Sequence, residues 1–227
     1  MNKQGHVAVI YAHPDDESFG AAGTIINFRK QGVPVTYLCG TLGEMGRNMG
    51  TRIFANRETL PSIRKKELKE ATKFLDIDLK LLGYHDKTIE FEEVNDVAIN
   101  IKQVLENLHP KITLVITHYP AYAVHPDHNA IGTAVIEAVK LMEPEERPTV
   151  WAQPITHDYE EFLGKPDVIH DVRDVFDEKL SAILLHRSQA EGMLEKINNE
   201  YRISDQVKES LKQRLGLEQF YIWKFEK

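Results

Sequence analysis

The chain has 227 residues, 42% hydrophobic and 28% charged, and a formal net charge of −7 from 28 Lys and Arg against 35 Asp and Glu. That length buries a substantial core in one large domain, and the acidic balance excludes a bulk basic field drawing it to nucleic acid or an anionic membrane. Apolar runs too short to cross a bilayer, an N-terminus without the apolar core of a signal peptide and a lone cysteine, Cys39, predict a cytoplasmic protein without internal disulfides.

Val7 to Ala12 is a continuous apolar run, the pattern of a parallel strand buried on both faces. Ser18 is placed to cap a helix running to about Gln31, with Phe19, Ala22 and Ile26 at helical spacing. Val33 to Gly40 reads as a second strand with Cys39 a small buried thiol near its end. Residues 41–61 are polar, glycine-bearing and without period, so a long and functional loop is expected. A helix from Ser62 to Leu75 and a short strand from Leu79 to Tyr84 follow. The apolar stripe Val94, Val97, Ile101, Val104, Leu105 and Leu108 predicts a helix over 93–108. Ile112 to His118 is a strand, then comes the loop "YPAYAVHPDH", a helix from Asn129 to Met142 and a strand from Thr149 to Gln153. A long helical region over Asp174 to Tyr201, a helix over Ser204 to Leu215 and a terminal strand "FYIWKF" complete the chain. Alternating β and α with buried strands predicts a single Rossmann-like α/β domain over 1–227, a mostly parallel sheet with helices on both faces. Active sites in such folds lie at the carboxyl ends of strands, and two unusual segments, "AHPDDE" and "AVHPDH", fall there.

Three consecutive acids after a buried strand repel one another and are costly to desolvate. Each piece has an ordinary reading alone: Asp15, Asp16 or Ser18 as a helix cap, and His125 or His128 as a loop histidine. Together they form a constellation. His13 and Asp16 share one turn and His128 arrives from the other loop, giving two histidines and a carboxylate with positions left open, as catalytic zinc sites require. A divalent cation also neutralises the acids. Asp15 lies between two ligands in sequence, placed to act as general base toward the attacking water. His125, with Asp127 available to orient its imidazole, would be biased toward the imidazolium and stabilise an oxyanion or protonate a leaving amine. Those are the three needs of amide hydrolysis.

These residues resemble the LmbE-like, or PIG-L, zinc-dependent N-acetylglucosamine deacetylases. The resemblance extends to "TLGEMGR", "IRKKELKEA", "LGYHD" and "HRSQ", and so to most of the chain. It implies zinc, with Fe²⁺ or another divalent ion as an alternative, held by His13, Asp16 and His128. It further implies Asp15 as base, His125 as charged oxyanion partner oriented by Asp127, and a sugar contacted by Arg64 and Asp86, with Glu44 in the intervening loop. Within the family the chain is most similar to the bacillithiol-pathway deacetylases acting on N-acetylglucosaminyl-malate. Other relatives act on a mycothiol precursor or diacetylchitobiose-type sugars. The expected partner is thus a small N-acetylated sugar, with neither nucleic acid nor membrane, and a homo-oligomer is left open. His85, where many relatives carry arginine, and "YAV" before His125 depart from the family pattern, which leaves the aglycone and a tyrosine at the oxyanion open. Arg47, Arg52, Arg57 and Arg147 read as solvated charges.

Other classes fit less well. Non-haem Fe(II) oxygenases use the same ligand types but commonly on all-β barrels. A receiver-like Mg²⁺-binding signalling domain would leave His13, His125 and His128 without a task. A dinucleotide-binding domain would carry G-x-G-x-x-G after the first strand, and none is there.

Overall fold

Residue alternation in the first strand sets the architecture. In β1 (His6–Tyr11), Val7, Val9 and Tyr11 enter one apolar core while Ala8 and Ile10 enter another, so every residue of the strand is buried. The computed structural model describes residues 5–198 and 204–225. Within them lie β2 (Val35–Cys39), β3 (Asp78–Leu81), β4 (Ile112–His118), β5 (Thr149–Gln153), β6 (Val168–Asp171) and β7 (Leu217–Ile222). They form one sheet in the order β3-β2-β1-β4-β5-β7-β6. Strands β1 to β5 are parallel to one another, and β7 runs antiparallel to both β5 and β6.

The helices are α1 (Asp16–Gly20), α2 (Ala22–Lys30), α3 (Leu60–Phe74), α4 (Val94–Glu106), α5 (Pro126–Lys140), α6 (Tyr159–Leu163), α7 (Phe176–Leu185), α8 (Arg187–Asn198) and α9 (Asp205–Leu215). Helices α4 and α5 bury Val97, Ile101, Ile131 and Val135 on one face of the sheet. Helices α2, α3 and α7 bury Ile25, Leu68 and Ala182 on the other. The expected α/β architecture, with helices on both faces, is therefore what the chain adopts.

Chain order reverses between β1 and β4: the strands step outward from β1 to β3, and the next strand pairs on the opposite side of β1. That switch leaves a crevice at the carboxyl ends of these two strands, and the two histidine–proline segments follow them directly. Helix α5 comes close to β4 because Gly132 lacks a side chain; a Cβ there would sit 2.5 Å from the His118 carbonyl oxygen. His128, one turn earlier, is thereby lowered over the strand end.

Several local expectations are corrected. Ser18 is not a helix cap: the helix starts at Asp16 with Asp15 in the cap position at φ 93°, and Ser18 donates its hydroxyl to Glu17. The continuous helix expected to Gln31 is broken at Ala21, between α1 and α2. Helix α5 starts at Pro126 rather than Asn129, since proline suits a first helical position. The helical region from Asp174 divides at His186, and its expected end at Tyr201 lies outside the described residues. The last strand is Leu217–Ile222 rather than 220–225, and β6, too short and polar for a periodic signal, was not anticipated.

Candidate active site

The acids of "PDDE" separate because consecutive residues of a tight turn and first helical turn point in different directions. Asp15 faces Arg64, with 3.5 Å between its Oδ1 and the nearest guanidinium nitrogen. Asp16 Oδ2 accepts the His13 backbone N–H at 2.8 Å and lies 3.4 Å from His118 and 3.3 Å from His128. Glu17, fully buried, meets His186 Nε2 at 2.6 Å and the Ser18 hydroxyl. So two of the three charges are compensated by protein partners, which qualifies the expectation that a metal neutralises them all.

Second contacts assign the imidazole lone pairs. His13 Nε2 points at the carboxylates of Asp86, 3.1 Å away, and Asp127, 3.4 Å away, so it carries the proton and leaves Nδ1 a free acceptor. His128 Nδ1 donates to the Ala123 carbonyl at 3.1 Å, which leaves its Nε2 free. These two nitrogens and Asp16 Oδ2 converge, with separations of 3.0, 3.3 and 3.6 Å. Three acceptors so close together could hold a cation among them. The edges of a tetrahedron built on zinc–nitrogen and zinc–oxygen bonds are about 3.3–3.4 Å, so the three donors fit a divalent ion of that size. The same crowding perturbs the ligands' titration. Burial opposes charge on His13, yet hydrogen bonds to Asp127, Asp16 and Asp86 hold its pKa well above the usual value. Burial would raise Asp16, but His128, His118 and His13 hold it well below the carboxylate range.

Asp15 stands beside this trio without joining it. Burial pushes its carboxyl up to about 6 despite the pull of Arg64, which suits a group that must accept and return a proton near neutrality. Both Asp15 and His125 line a cavity of about 730 Å³ above the trio. His125 packs edge-on against His13, with ring centroids 4.8 Å apart.

The expected pairing of Asp127 with the His125 imidazole is not found. Asp127 is fully buried, and its carboxylate accepts the backbone N–H groups of Lys87 at 2.6 Å and Ile89 at 3.2 Å while facing His13. His125 instead accepts the Asp127 backbone N–H on Nδ1 at 3.1 Å, capping α5. That bond places the ring proton on Nε2. Burial, with His13 and His128 nearby, lowers the His125 pKa rather than raising it, so the expected bias toward imidazolium is replaced by a neutral Nε2–H donor.

The three expected substrate contacts also separate. Arg64 lines the cavity but is 5% exposed, and it donates to the Pro14 carbonyl at 2.5 Å while facing Asp15. It sits where Gly43, at φ 65°, leaves room that a Cβ would fill. Glu44 is spent on backbone N–H groups of Leu42 and Asp86 and does not line the cavity. Asp86 lines it, but its two oxygens hold His13 and the Met45 N–H, and those bonds outweigh burial to bring its pKa down to about 2. All three therefore hold other groups in place.

Sequence reasoning missed four buried polar residues near the site. His118 ends β4, stacks on His128 with centroids 4.0 Å apart, and is brought to a pKa of about 3, above all by burial. Glu67 of α3 accepts the Ser188 N–H at 2.8 Å and its hydroxyl at 2.6 Å, and His186 meets Glu17. Glu67 lies in "IRKKELKEA" and His186 and Ser188 in "HRSQ", whereas His118 lies outside both segments.

The fold and the donor set define a class: an α/β domain with a cluster of two histidines and a carboxylate that could hold a cation, at its topological switch. The family model described as PIG-L: GlcNAc-PI de-N-acetylase matches residues 8–139, and the chain belongs to that family. It is 52% identical to a protein of Bacillus cereus named probable N-acetyl-alpha-D-glucosaminyl L-malate deacetylase 2, over 97% of this chain and 99% of that protein. Among solved structures it resembles the N,N'-diacetylchitobiose deacetylase of Pyrococcus horikoshii, with TM-score 0.71 and 26% identity over 97% of this chain and 84% of that one. A 4-carboxy-2-hydroxymuconate hydratase of Pseudomonas putida matches with TM-score 0.72 at 19% identity, covering 98% of both chains. That last likeness shows the fold alone.

Proposed function

We propose that the protein is a zinc-dependent deacetylase of N-acetylglucosaminyl L-malate, working in the cytoplasm. The observation that carries the reading is the convergence of His13 Nδ1, Asp16 Oδ2 and His128 Nε2, with Asp15 beside them, in a chain 52% identical to a protein named for that activity. His13, Asp16 and His128 would hold a divalent ion, which when bound would lower the pKa of water and polarise the acetyl carbonyl. Asp15 takes the proton of the attacking water, with Arg64 and the backbone turn at φ 93° fixing where its carboxylate points. The His125 Nε2–H donates to the oxygen that gains charge as the carbonyl carbon becomes tetrahedral. Asp15 then returns its proton to the amine nitrogen as the C–N bond breaks, which leaves acetate and a free amino sugar. His118, Asp86 and Asp127 hold the ligands in their orientations.

The test pairs metal analysis with an assay for released amine. Wild-type protein is expected to hold one divalent ion per chain and to release amine from N-acetylglucosaminyl L-malate. His13→Ala and His128→Ala are expected to lose both properties. Full metal retention in both variants, or no amine from the loaded wild type, overturns the proposal.

A further inference from the structure

The cavity has two chemically different parts. Its buried and half-buried wall is the cluster of histidines and carboxylates, and its exposed lining carries Arg47, Arg57 and Lys87. Arg47 and Arg57 have no ion-pair partner among the described residues, whereas other arginines of the region are engaged: Arg64 by Pro14 and Asp15, and Arg187 by Glu191 and the face of Phe54. Arg147 is bonded to carbonyls at the end of α5 and lies over Phe225, and Arg52 does not line the cavity.

The backbone beneath the two unpaired arginines is fixed. Gln189 donates to the Arg47 carbonyl at 3.1 Å, and the Met49 N–H reaches Ser188 at 2.8 Å. At Gly192 a Cβ would lie 2.8 Å from Met49 and 2.9 Å from the Gly50 nitrogen, so the loop lies against α8 at closest approach. Arg57 sits inside a turn closed by Asn56 Oδ1, which accepts the N–H groups of Glu58 and Thr59 at 3.0 Å. Two cations are therefore held in the exposed lining of the cavity on ordered loops, in a protein whose net charge of −7 would otherwise repel an anion.

We infer that Arg47 and Arg57, assisted by Lys87, form the subsite for the dicarboxylate aglycone of the substrate, and that Arg64, buried against Asp15, does not. The inference rests on the deacetylase reading above and assigns specificity within that site. A planar guanidinium matches a carboxylate with two parallel N–H donors, and two of them match the two carboxylates of a malate group. The acetamido end then lies over the histidines and carboxylates.

The test compares kcat/KM for N-acetylglucosaminyl L-malate and for the neutral methyl N-acetylglucosaminide in metal-loaded protein. Arg47→Ala and Arg57→Ala are each expected to lower the malate value about tenfold, mostly through KM, and the double variant about a hundredfold. The neutral glycoside should change less than about threefold, because charge-assisted hydrogen bonds are lost only on the charged substrate. Lysine replacements should recover part of the loss, and the wild-type preference for malate should weaken with salt. Equal losses on both sugars, or an unaltered preference in the double variant, overturn this inference alone. A wild type inert toward both sugars overturns the deacetylase reading and this inference with it.

Discussion

Two loops of this protein begin with the same tripeptide, His13-Pro14-Asp15 after β1 and His125-Pro126-Asp127 after β4, and put it to different uses. In the first, Asp15 takes the left-handed cap position and the helix starts one residue later; in the second, His125 is the cap and the helix starts at Pro126. That two-residue offset in helix start rotates the side chains by about 200°. The histidine of the first loop is buried and turns into the cluster with Asp16 and His128, whereas that of the second is half-buried in the cavity wall. The aspartate does the reverse, reaching the cavity as Asp15 and disappearing behind His13 as Asp127. Only the fourth positions, Asp16 and His128, agree, and they face each other in the candidate cation site. A short motif therefore specifies its chemistry only once the start of the following helix is known.

The comparison is broken most directly at its third positions. Asp15→Asn removes the carboxylate proposed to accept the proton of water and should cut turnover by about 10²–10⁴-fold with the metal retained, and added metal should not restore it. Asp127→Asn leaves the cavity unaltered but confronts the amides of Lys87 and Ile89 with an NH₂ group. It should destabilise the fold by about 1–3 kcal/mol and weaken metal affinity about 10–100-fold. Excess metal should then recover most of its turnover. Metal titration of the two variants separates them; recovery of Asp15→Asn by metal would show that the two aspartates share one role.

First positions give the next effect. His125→Ala should keep the metal and lose about 10²–10³-fold in turnover, the scale of one oxyanion donor. His125→Gln, which retains an N–H donor, should recover part of that loss if the neutral Nε2–H is what acts. Were an imidazolium required, glutamine would be no better than alanine. His13→Ala should instead release the metal.

How far the sequence alone reaches follows from the same loops. The two segments were legible because histidine, proline and acids have no ordinary reason to follow fully apolar strands, and parallel strands put both at one edge. The directions of Asp127 and Arg64 were not legible. Each depends on a tertiary partner distant in sequence: Asp127 on the amides of Lys87 and Ile89, and Arg64 on the Pro14 carbonyl and the space at Gly43. His118 was hidden for another reason. It is the last residue of a buried strand, where a histidine reads as packing until its neighbour His128 is lowered onto it by Gly132. Among the described residues strand β6 pairs only with β7, at a sheet edge, where two-residue alternation over four residues is too short to stand out.

Fifth positions carry the smallest expected effect and the sharpest contrast. Asn129 in the second loop uses its side-chain oxygen on the Ala123 N–H, a local bond. Glu17 in the first loop is fully buried and reaches across the fold to His186, which follows α7. Burial opposes a charge on His186, but Glu17 outweighs it, aided by Asp15 and Glu67, so the folded pKa is raised above the ordinary value near 6.5. A raised folded pKa means that the native state binds the proton more tightly than the unfolded chain does. The pair's contribution is then fully present below the unfolded value and fades as pH rises through the folded one. His186→Gln keeps a donor toward Glu17 but cannot titrate, so it should be destabilised relative to wild type at pH 6, and the difference should shrink as the pH is raised above neutrality. Chemical denaturation of both proteins across that range measures it. A gap that stays constant, or widens with pH, would mean that His186 serves Glu17 as a neutral donor, and that the first loop's extra acid is stabilised by hydrogen bonding without a counter-charge.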